Sequence, residues 1–205
     1  MEFCREFRMH SVEEYFKRLY LTFRDEFSMR SRGRKQFAAF SLDMAGLDSE
    51  KPIYRGHPFG GGGFLSWDFA VTTSCREANG TIEHAEQRVL CHLISNLQDL
   101  VHLNDHAQHS LYLFTYFSPC NDCIIFIDQL LNGLKTTLPK LQIYLGYIEM
   151  YVDAQDRRLT SSAERSMENL KTVYALERQF PKFHVMEIPK VMNQSSSYPK
   201  LYIES

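Results

Sequence analysis

The chain has 205 residues, 44% of them hydrophobic, and a formal net charge of −2, which is enough apolar material for one core of ordinary domain size. The mildly acidic balance excludes a protein that coats nucleic acid by bulk electrostatics, so any polynucleotide contact has to be local. The five cysteines are an odd number without framework spacing and suit a reducing compartment. Met1 to Phe7 do not read as a secretory leader, and no apolar run reaches membrane-spanning length. The expectation is an intracellular protein of cytoplasm or nucleus, with no membrane partner and with no oligomeric state specified.

No linker divides the sequence, so it reads as a single domain over 1–205, with a core from about 12 to 188 and a polar tail from Met192 to Ser205. Apolar periodicity predicts an amphipathic helix over Val12–Met29, built on Tyr15, Phe16, Leu19, Tyr20, Phe23 and Phe27. Arg30-Ser31-Arg32-Gly33-Arg34-Lys35 then sets four cations in six residues. By itself such a run reads as a solvated turn. Alternation predicts strands over Gln36–Leu42 and Phe64–Val71, joined by a long hairpin insertion holding Pro52, Pro58 and Gly60 to Gly63. No Gly-Lys-Ser/Thr follows those glycines, which argues against a phosphate-cradling loop.

Thr72–Glu83 reads as a polar loop, His84–Leu100 as a helix, and Ser110–Phe117 as a strand leading into a further helix. Leu141–Tyr147 is the next strand, Ser161–Gln179 the next helix and Phe183–Ile188 the last strand. A helix between those two strands makes them parallel, because a parallel crossover needs a connection of that length.

Two segments carry chemistry. His84-Ala85-Glu86 and Ser118-Pro119-Cys120-Asn121-Asp122-Cys123 together supply three metal ligands and one carboxylate that is not a ligand. A structural zinc site fills four tetrahedral positions with His and Cys, whereas three protein ligands leave a position for water. Ser118 and Pro119 read as N-cap and first residue of their helix, which sets Cys120 and Cys123 one turn apart on one side. Taken alone, Cys-x-x-Cys also fits a redox pair, and His-x-Glu a surface histidine beside a solvated acid. Together, and each following a strand and opening a helix, they match the pattern of zinc-dependent nucleobase deaminases. The expected set is Zn²⁺ on His84, Cys120 and Cys123, with Glu86 as proton shuttle. His92 lies too far along the helix to share the metal, and His102, His106 and His109 read as solvated loop histidines.

The order of elements resembles the cytidine-deaminase-like fold, a three-layer α/β arrangement with a mixed five-stranded sheet flanked by helices, and the parallel last strand resembles its polynucleotide-editing branch. Within it the AID/APOBEC family is the nearest likeness, carried by Gly33-Arg34-Lys35, Phe64-Leu65-Ser66-Trp67-Asp68-Phe69, Asn79-Gly80 and the zinc motif. The resemblance implies a hydrolase of cyclic-amidine C–N bonds that converts cytosine to uracil in single-stranded DNA or RNA. It implies that Asn79 binds the substrate sugar, the Ala85 amide and Ser118 carbonyl orient the base, and Phe117 floors the pocket where the family has tryptophan. It also implies that Tyr151 stacks on a flanking base and that Arg32 and Arg34, with Arg30 and Lys35, line the entrance. Two of these residues have plainer readings: Asn79-Gly80 is first a turn signal, and an aromatic at a strand end packs as readily as it stacks. A deaminase of free nucleosides or nucleotides and a non-catalytic zinc-stabilised binding module stay open beside this reading.

Overall fold

Strict alternation decides the architecture. In the computed structural model, which describes residues 11–21, 23, 37–43, 57–58, 63–65, 69–76, 78, 80–96, 109–151 and 161–189, β1 (Phe37–Leu42) is buried along its whole length. A strand covered on both faces is apolar throughout. Ala38, Phe40 and Leu42 face one cluster and Phe37 and Ala39 the other, the period of two that a pleated strand imposes.

The remaining strands are β2 (His57–Pro58), β3 (Gly63–Leu65), β4 (Phe69–Thr73), β5 (Cys75–Arg76), β6 (Ile82–Glu83), β7 (Ser110–Phe117), β8 (Gln142–Glu149) and β9 (Phe183–Glu187). Seven of them form one mixed sheet in the order β2-β3-β4-β1-β7-β8-β9. Its body is the five longer strands; β2 and β3 extend one edge. β1 is antiparallel to β4 and β7, whereas β7–β8 and β8–β9 are parallel, so the predicted parallel last strand is present.

Among the described residues, four helices cover the two faces. α1, over residues 11–21 and 23, packs Tyr15, Phe16, Leu19 and Phe23 on one face. α2 (Ala85–Ser95), α3 (Asn121–Thr137) and α4 (Ser161–Gln179) pack on the other, through residues such as Val89, Leu93, Ile127, Leu131 and Leu176. The result is a helix layer, a sheet and a second helix layer. Among the described residues no helix is long and apolar enough to cross a membrane.

Several expected boundaries move. The strand expected over Phe64–Val71 is two strands: β3 and β4 pair antiparallel with Phe64 opposite Val71, and residues 66–68 lie outside the described residues. The expected five-stranded mixed sheet is present as the body, β4-β1-β7-β8-β9, and the short β3 and β2 extend its β4 edge. Part of the insertion contributes β2, which pairs with β3, and Pro58 is tolerated there because the strand is at an edge. The expected polar loop 72–83 holds the end of β4 and the hairpin β5–β6, with Cys75 opposite Glu83. Gly80 supplies that turn's positive φ of 87°. Helix α2 is described to Ser95, and the tail from Met192 lies outside the described residues.

Candidate metal centre

Among the described residues, the group of side chains that could hold a metal lies at one end of the sheet. There β4 ends at Thr73, β7 at Phe117 and β8 at Glu149, and the chain turns into α2 and α3. His84 is the N-cap of α2, in an extended conformation (φ −71°, ψ 150°), and the Gln87 side chain accepts its backbone N–H at 3.1 Å. The next amide, of Ala85, donates to Ser74 Oγ at 3.2 Å.

The N-cap of α3 is Cys120, with the first helical bond from Ile124 N–H to the Cys120 carbonyl at 2.9 Å. Ser118 was expected to cap it. Its hydroxyl instead accepts the Tyr151 amide at 2.9 Å, while its own amide donates to the Glu149 carbonyl at 2.7 Å. Ser118 thus ties the end of β7 to the end of β8, and the helix starts two residues later than expected. Cys120 at the cap and Cys123 in the first turn still point together.

The donor atoms form a nearly equilateral triangle. Cys120 Sγ lies 3.3 Å and Cys123 Sγ 3.4 Å from His84 Nδ1, and the two sulfurs are 3.5 Å apart. Tetrahedral zinc, with bonds of about 2.0–2.1 Å to nitrogen and 2.3 Å to sulfur, sets donor separations of roughly 3.5–3.8 Å. The three atoms already stand within a few tenths of an ångström of one face of such a tetrahedron. Two sulfurs and an imidazole are also the donor types zinc prefers. His84, Cys120 and Cys123 are the group of His, Cys, Asp and Glu among the described residues that could hold a metal ion.

The electrostatics match a site built to exchange protons for a cation. The hydrogen bond between the two sulfurs, assisted by His84, pulls Cys120 down to about 4. The same bond, together with burial, pushes Cys123 well above the ordinary thiol range, and the contact with Cys120 raises His84. One sulfur holds its proton for the other, so a metal that takes both thiolates must displace it. Glu86, one residue further into α2 than Ala85, is pushed up to about 7, chiefly by burial, and its charge is felt by His84 and both cysteines. A carboxyl so placed is poised near neutrality to accept and return a proton.

Around the donors the walls are aromatic. Tyr151 sits 6.4 Å from the His84 ring, between centroids, and 6.3 Å from Phe117 in an edge arrangement. Half-buried Phe117 also packs edge-on against Tyr116 at 4.8 Å. The structure therefore brings together His84, Ala85, Glu86, Phe117, Ser118, Cys120, Cys123 and Tyr151. Arg32, Arg34 and Asn79 lie outside the described residues.

The Ala85 amide, expected to face a base, is engaged by Ser74. Sequence reading missed Ser74, Gln87 and Arg88, the side chains that hold the start of α2. The only local signal was Gln87, three residues after the cap, where a capping box has Glu or Gln. His92 stacks on Phe40 at 6.0 Å, as a helix-face histidine would. His109 was expected to be solvated, but its Nδ1 lies 2.5 Å from Asp43 at the far end of the sheet. His102 and His106 lie outside the described residues.

No family model matches the sequence, and no curated protein matches it either. What the chain can do is therefore read from the site itself.

Proposed function

We propose that the protein is a zinc-dependent hydrolytic deaminase that converts cytosine to uracil in single-stranded DNA or RNA. The observation that carries this reading is a three-donor set, His84, Cys120 and Cys123, with a fourth acidic side chain, Glu86, beside it but outside the donor triangle. A purely structural zinc site has no use for that carboxyl. A redox Cys-x-x-Cys pair would use the imidazole 3.3 Å from Cys120 to hold a thiolate, but it has no use for the neighbouring carboxyl, whose charge raises Cys123.

Zinc, when bound, supplies a Lewis acid that makes a water molecule acidic near neutral pH. Glu86 takes the proton of the attacking water, delivers it to the ring nitrogen of cytosine, and assists ammonia as it departs. Phe117 and Tyr151 offer apolar ring faces for the reacting base and a neighbour. The Ser118–Tyr151 hydrogen bond keeps the second ring in register with the first. For the Ala85 amide to orient the base, the Ser74 hydroxyl has to yield it. A stacked base cannot reach this depth, which favours single strands over duplex.

A second reading, turnover of free nucleosides or nucleotides, draws on the net charge of −2. Incubating zinc-loaded protein with single-stranded DNA and with RNA, and sequencing both, decides between them. C-to-U changes whose yield falls as salt rises support the polynucleotide reading. Salt-insensitive turnover of cytidine without editing replaces it with the second. Activity on neither, with zinc bound, sinks both and leaves a non-catalytic module.

A further inference from the structure

We propose that Arg88 is a positioning residue for the metal centre, a clamp that fixes His84 relative to the two cysteines. This rests on the reading of His84, Cys120 and Cys123 as a metal site, although not on the reaction performed there.

The residue is out of place by pattern. Ala85, Val89 and Leu93 mark the buried stripe of α2, and Arg88, only 5% exposed, occupies a position of that stripe. An ionised side chain there costs free energy that an apolar one would not. Its partners indicate what it holds. The guanidinium donates through one terminal nitrogen to the Thr73 carbonyl at 2.8 Å, and its Nε lies 3.5 Å from the Glu83 carboxylate. Thr73 ends β4, just before the β5–β6 hairpin, and Glu83 ends β6, just before His84. Arg88 therefore grips the chain on both sides of the hairpin, from a residue whose backbone N–H already donates to the His84 carbonyl at 3.1 Å.

The consequence falls on His84. Glu83 is tied to Arg88, the His84 amide to Gln87, and the Ala85 amide to Ser74, which neighbours the clamped Thr73. Three consecutive residues are held, Glu83 and His84 by side chains of α2 itself and Ala85 by Ser74 outside it, which fixes the backbone from which the imidazole projects. This matters because the two cysteines ride on α3, a separate helix. The donor triangle is correct only if the start of α2 is fixed against the start of α3. The clamp supplies the imidazole's half of that condition. Groups that orient metal ligands commonly change metal affinity by about 10- to 100-fold when removed.

The test compares wild type with Arg88→Met, Arg88→Lys and the double variant Ser74→Ala/Glu83→Gln. Zinc affinity is measured by competition with a chromophoric chelator. Cobalt(II) then reports geometry through its d–d and thiolate charge-transfer bands, while circular dichroism and thermal melts report the fold. Arg88→Met should stay folded, since an apolar side chain suits the stripe, yet bind zinc about tenfold or more weakly with altered cobalt bands. Arg88→Lys should recover part of the loss, because an ammonium can still reach the Thr73 carbonyl. A merely structural arginine would shift the melting temperature and leave the cobalt spectrum alone.

Folded Arg88→Met with wild-type zinc affinity and cobalt bands overturns the proposal. If that variant does not fold, the double variant, which loosens the same clamp and keeps α2 intact, decides by the same criterion. Wild type that takes up neither zinc nor cobalt sinks the metal-site reading itself, an outcome distinct from the failure of Arg88 alone.

Discussion

On the sheet face that packs under α2, α3 and α4 the strands present Leu111, Leu113, Ile143 and Leu145, whereas the face under α1 presents Phe37, Phe69, Tyr112, Phe114 and Tyr144. The aromatic face is a slab of interlocked rings. Tyr15 meets Tyr112 at 4.8 Å, Phe37 meets Phe114 at 5.2 Å and Tyr112 meets Tyr144 at 5.3 Å, offset or tilted contacts of the kind rings favour. The other face is mainly aliphatic, with Phe40, Tyr147 and Phe183 among slimmer side chains, and two of the helices above it, α2 and α3, begin where their first turns meet. The metal-ligating group belongs to that second face. One face supplies rigidity and the other brings donors together, so damage to each should be separable in experiment.

The largest separable effect is expected at Glu86. Glu86→Gln should lower turnover by about 10²- to 10⁴-fold while zinc content and melting temperature hold; retained activity on cytosine would show that the carboxyl is not the shuttle. On the opposite face Phe16 is fully buried, and Phe16→Ala should cost about 3–5 kcal/mol of stability. The fraction still folded should bind zinc as before. A variant that lost metal affinity in proportion to stability would break the division between faces.

Stripping the metal with a chelator should act on the aliphatic face alone. It should lower the melting temperature, and restoring free zinc should recover stability, by about 2.7 kcal/mol at a hundredfold excess over Kd. Smaller still is Gly146, whose place in β8 leaves room for the Phe16 ring: a Cβ there would come within 2.7 Å of it. Gly146→Ala should cost about 1–3 kcal/mol, measured by urea unfolding, with no change in the cobalt spectrum.

The smallest effect concerns Tyr147, buried among the aliphatic side chains with its hydroxyl 3.4 Å from that of Tyr174. Burial first, then the Tyr174 bond, holds its phenol proton beyond the ordinary 10.0. Below that pH both folded and unfolded chains keep the proton, so stability is unaffected. Above it the unfolded chain releases the proton first, and stability falls as pH rises. Tyr147→Phe should cost under about 1 kcal/mol at neutral pH, and the gap to wild type should close between pH 9 and 11 in denaturant melts.

Much of this molecule could be read from the order of its residues. The helices, the central strands and the parallel end of the sheet follow from periodicity and spacing, and the donors follow from residue type. What escaped depends on partners distant in sequence. Ser118 has the chemistry of an N-cap, but the Tyr151 amide, thirty-three positions away, claims its hydroxyl. Arg88 breaks an apolar stripe for the sake of Thr73, fifteen positions back. The β3–β4 pair and the β5–β6 hairpin were hidden because strands of two or three residues carry too few alternations to register.

The central position of β1 has a consequence during synthesis. One edge of this wholly buried, uncharged segment, Phe37-Ala38-Ala39-Phe40-Ser41-Leu42, is completed by β4, but the other waits for β7, which ends at Phe117. At translation rates of about 5–20 residues per second, a nascent chain would carry that open edge for roughly 4–15 s. A short uncharged strand with an unsatisfied edge invites pairing with its copies on neighbouring ribosomes. Yield in cells should therefore respond to chaperone supply and to the pace of translation through residues 43–117, independently of how stable the finished protein is.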